Sequence, residues 1–310
     1  MLRKVATVVF AVVMAVSVQA QERDPSDRRS RETTPAEKPW EFWLSGNVQN
    51  YGNFFQVTEG ALEEDATAVE GEVGASLRLG QGPLRAYGSF NHLNYRDFGL
   101  EASNGVRIGL KSSGRPHGFD VYADQTNNRP TFDAGDEFDT ADIRTLAGEY
   151  TYRFADDWQV SADGQFQQQE NEITSSHDND FKALGAAVRW RGSRLFSPEI
   201  GYRAGERDVD DATLSYDQNE WYVQVRSSLT PTVYLSVRYR DRGREYSTAD
   251  AGSSNFGRED ARRQLAASAD WTFMPMLTLN LYAAREDVDV NRAGRDFDTS
   301  LGLVGLTWRF

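Results

Sequence analysis

Past its first 39 residues, the chain repeats one pattern, in which apolar and polar positions alternate with a period of two. The last repeat is the clearest, because Val304, Leu306 and Trp308 lie on one face and Gly305 and Thr307 on the other. Such alternation is typical of a β-strand that turns only one face toward an apolar environment. The pattern predicts fourteen strands, at about 40–54, 67–79, 84–93, 104–111, 118–124, 143–154, 158–167, 182–190, 198–206, 219–228, 232–242, 262–273, 277–286 and 299–310.

The connections between these strands alternate between short and long. Short turns fall at 80–83, 112–117, 155–157, 192–196, 229–231 and 274–276, and longer loops at 55–66, 94–103, 125–142, 168–181, 207–218, 243–261 and 287–298. Short periplasmic turns and long extracellular loops are typical of outer-membrane barrels. The sequence therefore predicts an all-β, transmembrane, antiparallel up-and-down β-barrel of about 14 strands. The even count places both termini in the periplasm.

A soluble β-sandwich or β-helix would also alternate, but its outer face would be polar. Here the apolar face ends in aromatic residues beside the short turns, as the interfacial girdle of a membrane barrel does. These residues are Phe154, Trp158, Trp190, Trp271 and Phe273.

The first 20 residues read as a cleaved signal peptide. Arg3 and Lys4 precede the apolar run 5–16, and small residues follow at Val18 and Ala20. This order is that of a secretory signal, and the run is too short to span a membrane. We expect a signal peptide at 1–20, a disordered periplasmic segment at 21–39, which is charged and almost free of apolar residues, and the barrel at 40–310.

Composition narrows the classes further. Net charge falls from −13 to −15 once the signal peptide is removed, and basic and acidic residues are mixed in the tail, so no nucleic-acid partner is expected. The chain has no cysteine, which excludes disulfides, thiolate metal sites and haem attachment through cysteine. We predict no cofactor.

The chain end resembles the C-terminal assembly signal of outer-membrane proteins. Gly305, Trp308 and the terminal Phe310 match that signal, whereas Leu303 stands where it usually has a polar residue. The resemblance implies recognition by the barrel-assembly machinery. Together with the strand count, it makes the chain similar to the monomeric 14-stranded porins of Gram-negative bacteria.

The loop after the fifth strand resembles the constriction loop of general porins. Pro130, Phe132 and Asp136 match the porin stretch Pro-Glu-Phe-Gly-Gly-Asp if one residue is inserted, and Thr131 replaces its glutamate. The resemblance implies a candidate constriction loop that contains Pro130, Phe132, Asp133 and Asp136.

Strand parity also predicts which charged residues line the lumen. A basic wall is expected at Arg189, Arg203, Arg226, Arg238 and Arg240. More acidic positions are expected at Glu70, Glu72, Asp120, Asp124, Glu149 and Asp163. Opposed walls of this kind set up a transverse field across a water-filled pore. The same charges could instead pair across strands and fill the lumen, so an open channel and a filled barrel both remain.

Two other sites are weaker candidates. Asp287, Asp289, Asn291 and Asp298 have the spacing of a calcium-binding loop, but Arg292 stands where such a loop needs glycine. His92 is predicted on the lipid-facing side near Asn104, as in outer-membrane hydrolases. No serine is placed beside both, so we expect no enzyme.

The sequence thus favours an outer-membrane channel for passive diffusion of small hydrophilic solutes, with a preference for anions. The alternative is a non-conducting barrel, the scaffold or sheath of a secretion or electron-transfer complex. Expected partners are outer-membrane lipids and lipopolysaccharide, the barrel-assembly machinery and, in the alternative, an unidentified periplasmic or surface protein.

Overall fold

The computed structural model describes residues 39–52, 65–96, 100–132, 138–292 and 296–310. The predicted signal peptide at 1–20 and nearly all of the predicted tail at 21–39 lie outside these residues. Within the described residues, no helix is long and apolar enough to cross a membrane.

The described chain forms fourteen strands and two short 3-10 turns. The 3-10 turns are Ser175–His177 and Ala212–Leu214. The strands are β1 Trp40–Gly52, β2 Ala66–Arg78, β3 Leu84–Tyr95, β4 Ser103–Ser112, β5 His117–Phe132, β6 Phe138–Ala155, β7 Trp158–Asn171, β8 Asn179–Trp190, β9 Ser197–Val209, β10 Tyr216–Thr230, β11 Val233–Tyr246, β12 Glu259–Met274, β13 Leu277–Val290 and β14 Phe297–Arg309.

Each strand pairs antiparallel with its neighbours in the chain, and β1 pairs with β14 to close the barrel. At this seam Phe42 and Phe310 exchange two backbone hydrogen bonds of 3.1 Å, and their rings stack at 5.8 Å. Closure matters because a barrel without an edge leaves no strand hydrogen bonds unpaired in lipid. The prediction of a 14-stranded antiparallel barrel is confirmed.

The outer surface carries an apolar band. Ile108, Leu184 and Ile200 are each at least 60% exposed on it. So many exposed apolar side chains would be unfavourable in water but are expected against lipid. At the short-turn end the band is bordered by the exposed aromatic residues Phe154, Trp158, Trp271 and Phe273, with Trp190 half-buried beside them. The surface therefore has the form of a lipid-facing barrel.

Toward the long loops, the strands continue beyond this band. Their outward positions there are charged, for example at Glu170, Glu206, Asp217 and Glu245. The predicted strands are consequently too short at this end, by as many as eight residues in β5. Hydrophobic alternation marks only the part of a strand that faces lipid, so it does not reveal the part that projects into water.

The hairpin of β5 and β6 shows this difference most clearly. Pro130 and Phe132 were predicted in a loop from 125 to 142, but both belong to β5, where they are the register partners of Thr140 and Phe138. The register shifts by one residue before them, and Asn128 adopts a positive φ of 54°. Asparagine tolerates this conformation, and such a bulge lets the strand continue. The predicted loop boundary is wrong here, and Asp133 and Asp136 lie outside the described residues.

Candidate functional site

Inward-facing residues differ between the two halves of the lumen. In the turn-side half, which adjoins the short turns, several inward side chains on β3–β7 are partly exposed. In the loop-side half, nearly all inward side chains are buried, including Ala66, Ala68 and Ala141, each with no exposed surface. Water therefore reaches the turn-side half and contacts little of the loop-side half.

The predicted acidic residues all point into the barrel from β2–β7, and most of them are hydrogen-bonded. Glu70 accepts from Asn47 at 3.3 Å, Gln49 at 2.9 Å and Asn91 at 3.1 Å. Glu72 accepts from the Trp43 indole at 3.2 Å. Hydrogen bonds from side chains on adjacent strands therefore hold these two carboxylates in place.

Two further acids of this wall, closer to the short turns, are also hydrogen-bonded. Asp124 accepts from Nε and Nη2 of Arg107 at 3.1 and 3.0 Å. Asp120 accepts from the Tyr87 hydroxyl at 2.6 Å, and Glu149 is exposed to the lumen. These carboxylates therefore line the part of the lumen that water reaches.

Two of the predicted basic residues, Arg203 and Arg226, each pair with an acid of their own. Arg203 on β9 forms an ion pair with Asp163 on β7, which joins the two walls. Arg226 pairs with Glu199 at 3.0 Å, and the Tyr222 hydroxyl donates to the same carboxylate at 3.0 Å. These pairs reduce the free positive charge of the wall predicted from the sequence.

Arg189 lies near the short turns, away from Arg203 along the strands. Its Nε donates to the Ser197 hydroxyl at 3.0 Å, and it is 5% exposed. The five predicted arginines consequently lie on neighbouring strands but at different depths, and they do not meet at one level.

Glu220 on β10 is surrounded by three arginines of the next strand. Arg242 Nε donates to it at 3.0 Å, Arg240 approaches at 3.7 Å and Arg238 at 3.9 Å. Arg240 also donates to Gln264 at 2.7 Å, and the Arg238 guanidinium lies 3.8 Å from the Tyr222 ring centre. One buried carboxylate is therefore shared among three positive charges.

The loop-side half contains more arginines than the sequence analysis identified. An arginine cluster of six side chains, each at most 4% exposed, comprises Arg207, Arg240, Arg242, Arg244, Arg258 and Arg262. On β9–β14, the strands that carry or adjoin this cluster, the buried acids of the loop-side half among the described residues are Glu220, Asp260 and Glu286; Asp139, at the start of β6, is buried elsewhere in this half. Six cations against three anions leave an excess of three positive charges.

Aromatic rings separate members of this cluster. The guanidinium groups of Arg207 and Arg244 lie 5.7 and 4.6 Å from the Tyr216 ring, and that of Arg258 lies 4.5 Å from Tyr246. Cation–π contacts of this kind favour the charged form in a site with little water. Arg258 also makes a bidentate pair with Asp260, at 2.7 and 2.8 Å.

Simple parity could have found most of these residues. Arg242 and Arg244 continue the alternation of Arg238 and Arg240 along β11, and Arg207 continues that of Arg203 along β9. Arg207 and Arg244 were missed because the predicted strands at 198–206 and 232–242 ended before them, whereas Arg242 is the last residue of its predicted strand and was overlooked.

The calcium-binding spacing does not form a loop. Asp287 and Asp289 lie on the outward face of β13, and Asp298 lies on β14 opposite Asp287. Arg285 pairs with Asp287 and Asp298 at 3.3 Å each. No cluster that could hold a metal ion occurs in the part of the chain that is described. The loop on which the calcium hypothesis depended is therefore mostly strand.

The other residues singled out from the sequence lie at separate places on the barrel. The Nδ1 atom of His92 and Oδ1 of Asn104 lie 2.9 Å apart on the outer surface, as the pairing across the hairpin predicts. Asn291 caps the loop side by accepting from the Glu259 amide at 3.0 Å. Trp308 points outward and Gly305 inward on β14. Recognition of Gly305, Trp308 and Phe310 by an assembly machinery stays a prediction.

Comparison with known proteins gives fold-level likeness only. No family model matches the chain, and no curated protein matches it in sequence. Among solved structures, a loop-deletion mutant of OmpT, an outer membrane protein of Vibrio cholerae, is 10% identical with a TM-score of 0.49, covering 87% of this chain and 99% of its own. The anion-selective porin from Comamonas acidovorans is 10% identical with a TM-score of 0.47, covering 87% and 98%. Pseudomonas aeruginosa OpdK with vanillate is 12% identical with a TM-score of 0.46, covering 87% and 99%.

Proposed function

We propose that this protein is an outer-membrane channel for passive diffusion of small hydrophilic solutes, with a preference for anions. The observation that carries the proposal is the excess of three positive charges in the arginine cluster of the loop-side half. A solute that crosses the barrel must pass this level. Cations buried in a region of low dielectric attract anions strongly, because water screens them little.

The turn-side half supports the same proposal. Its polar side chains are in contact with water, and its acidic wall on β2–β7 faces the arginines on β8–β11. A lumen lined by both signs of charge suits hydrated polar solutes better than apolar ones. The lipid-facing band and the closed hydrogen-bonding ladder favour a place in the outer membrane, with both termini at the periplasmic end.

Packing of the loop-side half favours a second candidate. Its inward side chains are nearly all buried, which is the expectation for a non-conducting barrel that serves as a scaffold or sheath for a protein partner. If the protein conducts, solutes must pass through a narrow route or displace side chains of this half. We therefore expect a channel of low conductance.

Planar-bilayer recording of the refolded protein separates the two candidates. The channel predicts discrete, reproducible conductance steps and swelling of proteoliposomes in small polar solutes. Folded barrels, identified by their altered mobility on unheated gels, that neither conduct nor cause swelling would contradict the channel and favour the scaffold.

A further inference from the structure

Two buried arginines of the cluster face each other across neighbouring strands. Arg242 on β11 and Arg262 on β12 are direct register partners, and both point into the barrel. They are 4% and 2% exposed. Like charges directly opposite each other in a sheet are unfavourable, and burial increases their repulsion. Nearby negative charge or hydrogen-bond acceptors must therefore offset the repulsion between the two guanidinium groups.

Neighbouring residues compensate Arg242 but not Arg262. Arg242 donates to Glu220 at 3.0 Å. Nε and Nη1 of Arg262 are buried and have no hydrogen-bond partner among the described residues. Buried donors are rarely left unsatisfied in native proteins, and a buried cation without a partner is especially costly.

Two buried acids lie near Arg262, but neither forms an ion pair with it. Asp260 is already held by the bidentate pair with Arg258, at 2.7 and 2.8 Å. Glu286 acts on Arg262 electrostatically, together with Asp260, against the positive charges of Arg244 and Arg242. No ion pair within 4.0 Å joins Arg262 to an acid of the described chain.

From this arrangement, we infer that the loop-side half contains a binding site for an oxyanion between the guanidinium groups of Arg242 and Arg262. The group bound would be the carboxylate, sulfate or phosphate group of a small solute. A guanidinium offers two parallel donors that match two oxygens of such a group. The Arg262 guanidinium also lies 6.0 Å from the Phe297 ring, which gives the site an apolar border.

This inference deepens the proposed function and rests on it, because it names the class of solute that the channel would favour. Binding can nevertheless be measured without any ion flow. The probes are sodium sulfate, sodium phosphate and sodium acetate, added to the folded full-length protein in detergent, with sodium chloride at equal ionic strength as the reference. Calorimetric titration gives the dissociation constant, and the midpoint of thermal unfolding gives a second readout.

We expect at least one of the three oxyanions to bind and to raise the unfolding midpoint above that in chloride. The acetate arm distinguishes a carboxylate site from a site for inorganic oxyanions. R262Q should weaken binding at least tenfold. R263Q is the matched control, because the adjacent Arg263 points outward, is half-exposed and pairs with Asp289 at 3.0 Å. Its affinity should equal that of the wild type.

A second expectation separates binding from a merely structural role. Without oxyanions, R262Q should unfold at the wild-type temperature or above it, since the substitution removes repulsion from Arg242. If R262Q does not fold, R262K replaces it, and the loss of bidentate geometry should still weaken binding. Equal effects of chloride and all three oxyanions, or wild-type affinity in the Arg262 variant, would overturn the inference. Failure of conductance alone would affect only the proposed channel.

Discussion

At the scale of single residues, Glu220 is the side chain on which the arginine cluster most depends. It is 6% exposed and lies within 3.9 Å of Arg238, Arg240 and Arg242. Removing one partner of a buried ion pair leaves an uncompensated charge, and here it would add one unit of positive charge to a group of three arginines. The acid is therefore structurally important even if no solute passes.

For Glu220→Gln, we predict a loss of stability of about 3–5 kcal/mol, the usual cost of removing one partner from a buried pair. Denaturant-induced unfolding in detergent measures it. Glu206→Gln is the control, because Glu206 is exposed on β9 and pairs with Lys182 at 3.5 Å. Surface pairs contribute about 0–1 kcal/mol. Equal stability changes in both variants would show that the arginine cluster does not depend on Glu220.

Glycines on the inward face make room for aromatic rings. The Tyr222 ring lies against Gly201, where it would clash with any added Cβ, whereas Gly46 on the outer face has no atom within 4 Å of that position. A strand glycine often marks such a close approach. Tyr222 in turn donates to Glu199 and lies under Arg238, so the glycine supports the charged wall.

We predict that Gly201→Val destabilises the barrel by about 1–3 kcal/mol, as overpacking does in other cores. Gly46→Val should leave stability almost unchanged, since its side chain would enter lipid. Thermal unfolding followed on unheated gels measures both variants. Wild-type unfolding of Gly201→Val would contradict a close contact between Gly201 and the Tyr222 ring.

At the scale of strands, β14 both closes the barrel and carries the expected assembly signal. Phe310 stacks on Phe42 at 5.8 Å and lies 4.8 Å from Trp308. For Phe310→Ala, we predict a lower fraction of folded barrel in the membrane of expressing cells. Phe273→Ala is the control. Phe273 is a similarly exposed aromatic residue on β12, at the same end of the barrel as Phe310 but away from the seam between β1 and β14. Equal folded fractions for both variants would contradict a special role for the chain end.

The strands also show how far the sequence alone could reach. Alternation gave the number, order and turn-side ends of the strands, because lipid imposes a strict apolar face there. It failed on the loop side of β5 and β10, where both faces are polar. For the same reason, Arg244 was absent from the predicted lumen wall, whereas Arg262 is the first residue of a predicted strand and was overlooked.

The pairing of charges could not be predicted. Parity placed Arg203 and Asp163 on the inward face, but their ion pair crosses an intervening strand and depends on barrel curvature. The unpartnered donors of Arg262 depend likewise on Asp260 being occupied by Arg258. The first relation joins residues 40 positions apart. The second lies within five residues, but which side chain Asp260 pairs with depends on side-chain geometry that alternation does not encode.

At the scale of the whole molecule, the exposed apolar band should define the membrane level. Ile108 is 63% exposed within it, and Asp217 lies outward beyond it. We predict that Ile108→Arg destabilises the barrel in phospholipid vesicles by about 2–4 kcal/mol, the cost of a cation near the bilayer midplane. Asp217→Arg should have a small effect. Refolding equilibria in vesicles measure both, and equal stabilities would contradict lipid contact at Ile108.

The outer wall and the lumen carry opposite charge near the long loops. Acids such as Glu170, Asp217 and Glu245 point outward, while the arginine cluster points inward at the same end. The net charge of −13 therefore gives no indication of the field that a solute meets inside. That field, rather than total charge, should decide which ions pass.

Ion selectivity is the most direct test of the central claim that this lumen favours anions. The measurement is the reversal potential of single channels under a potassium chloride gradient across a planar bilayer. A lumen that favours anions predicts a potential whose sign reports preferential passage of chloride. It also predicts a shift toward potassium in Arg240→Gln, where the lumen loses one positive charge. A wild-type channel that prefers potassium, or a potential unchanged by the loss of Arg240, would contradict it.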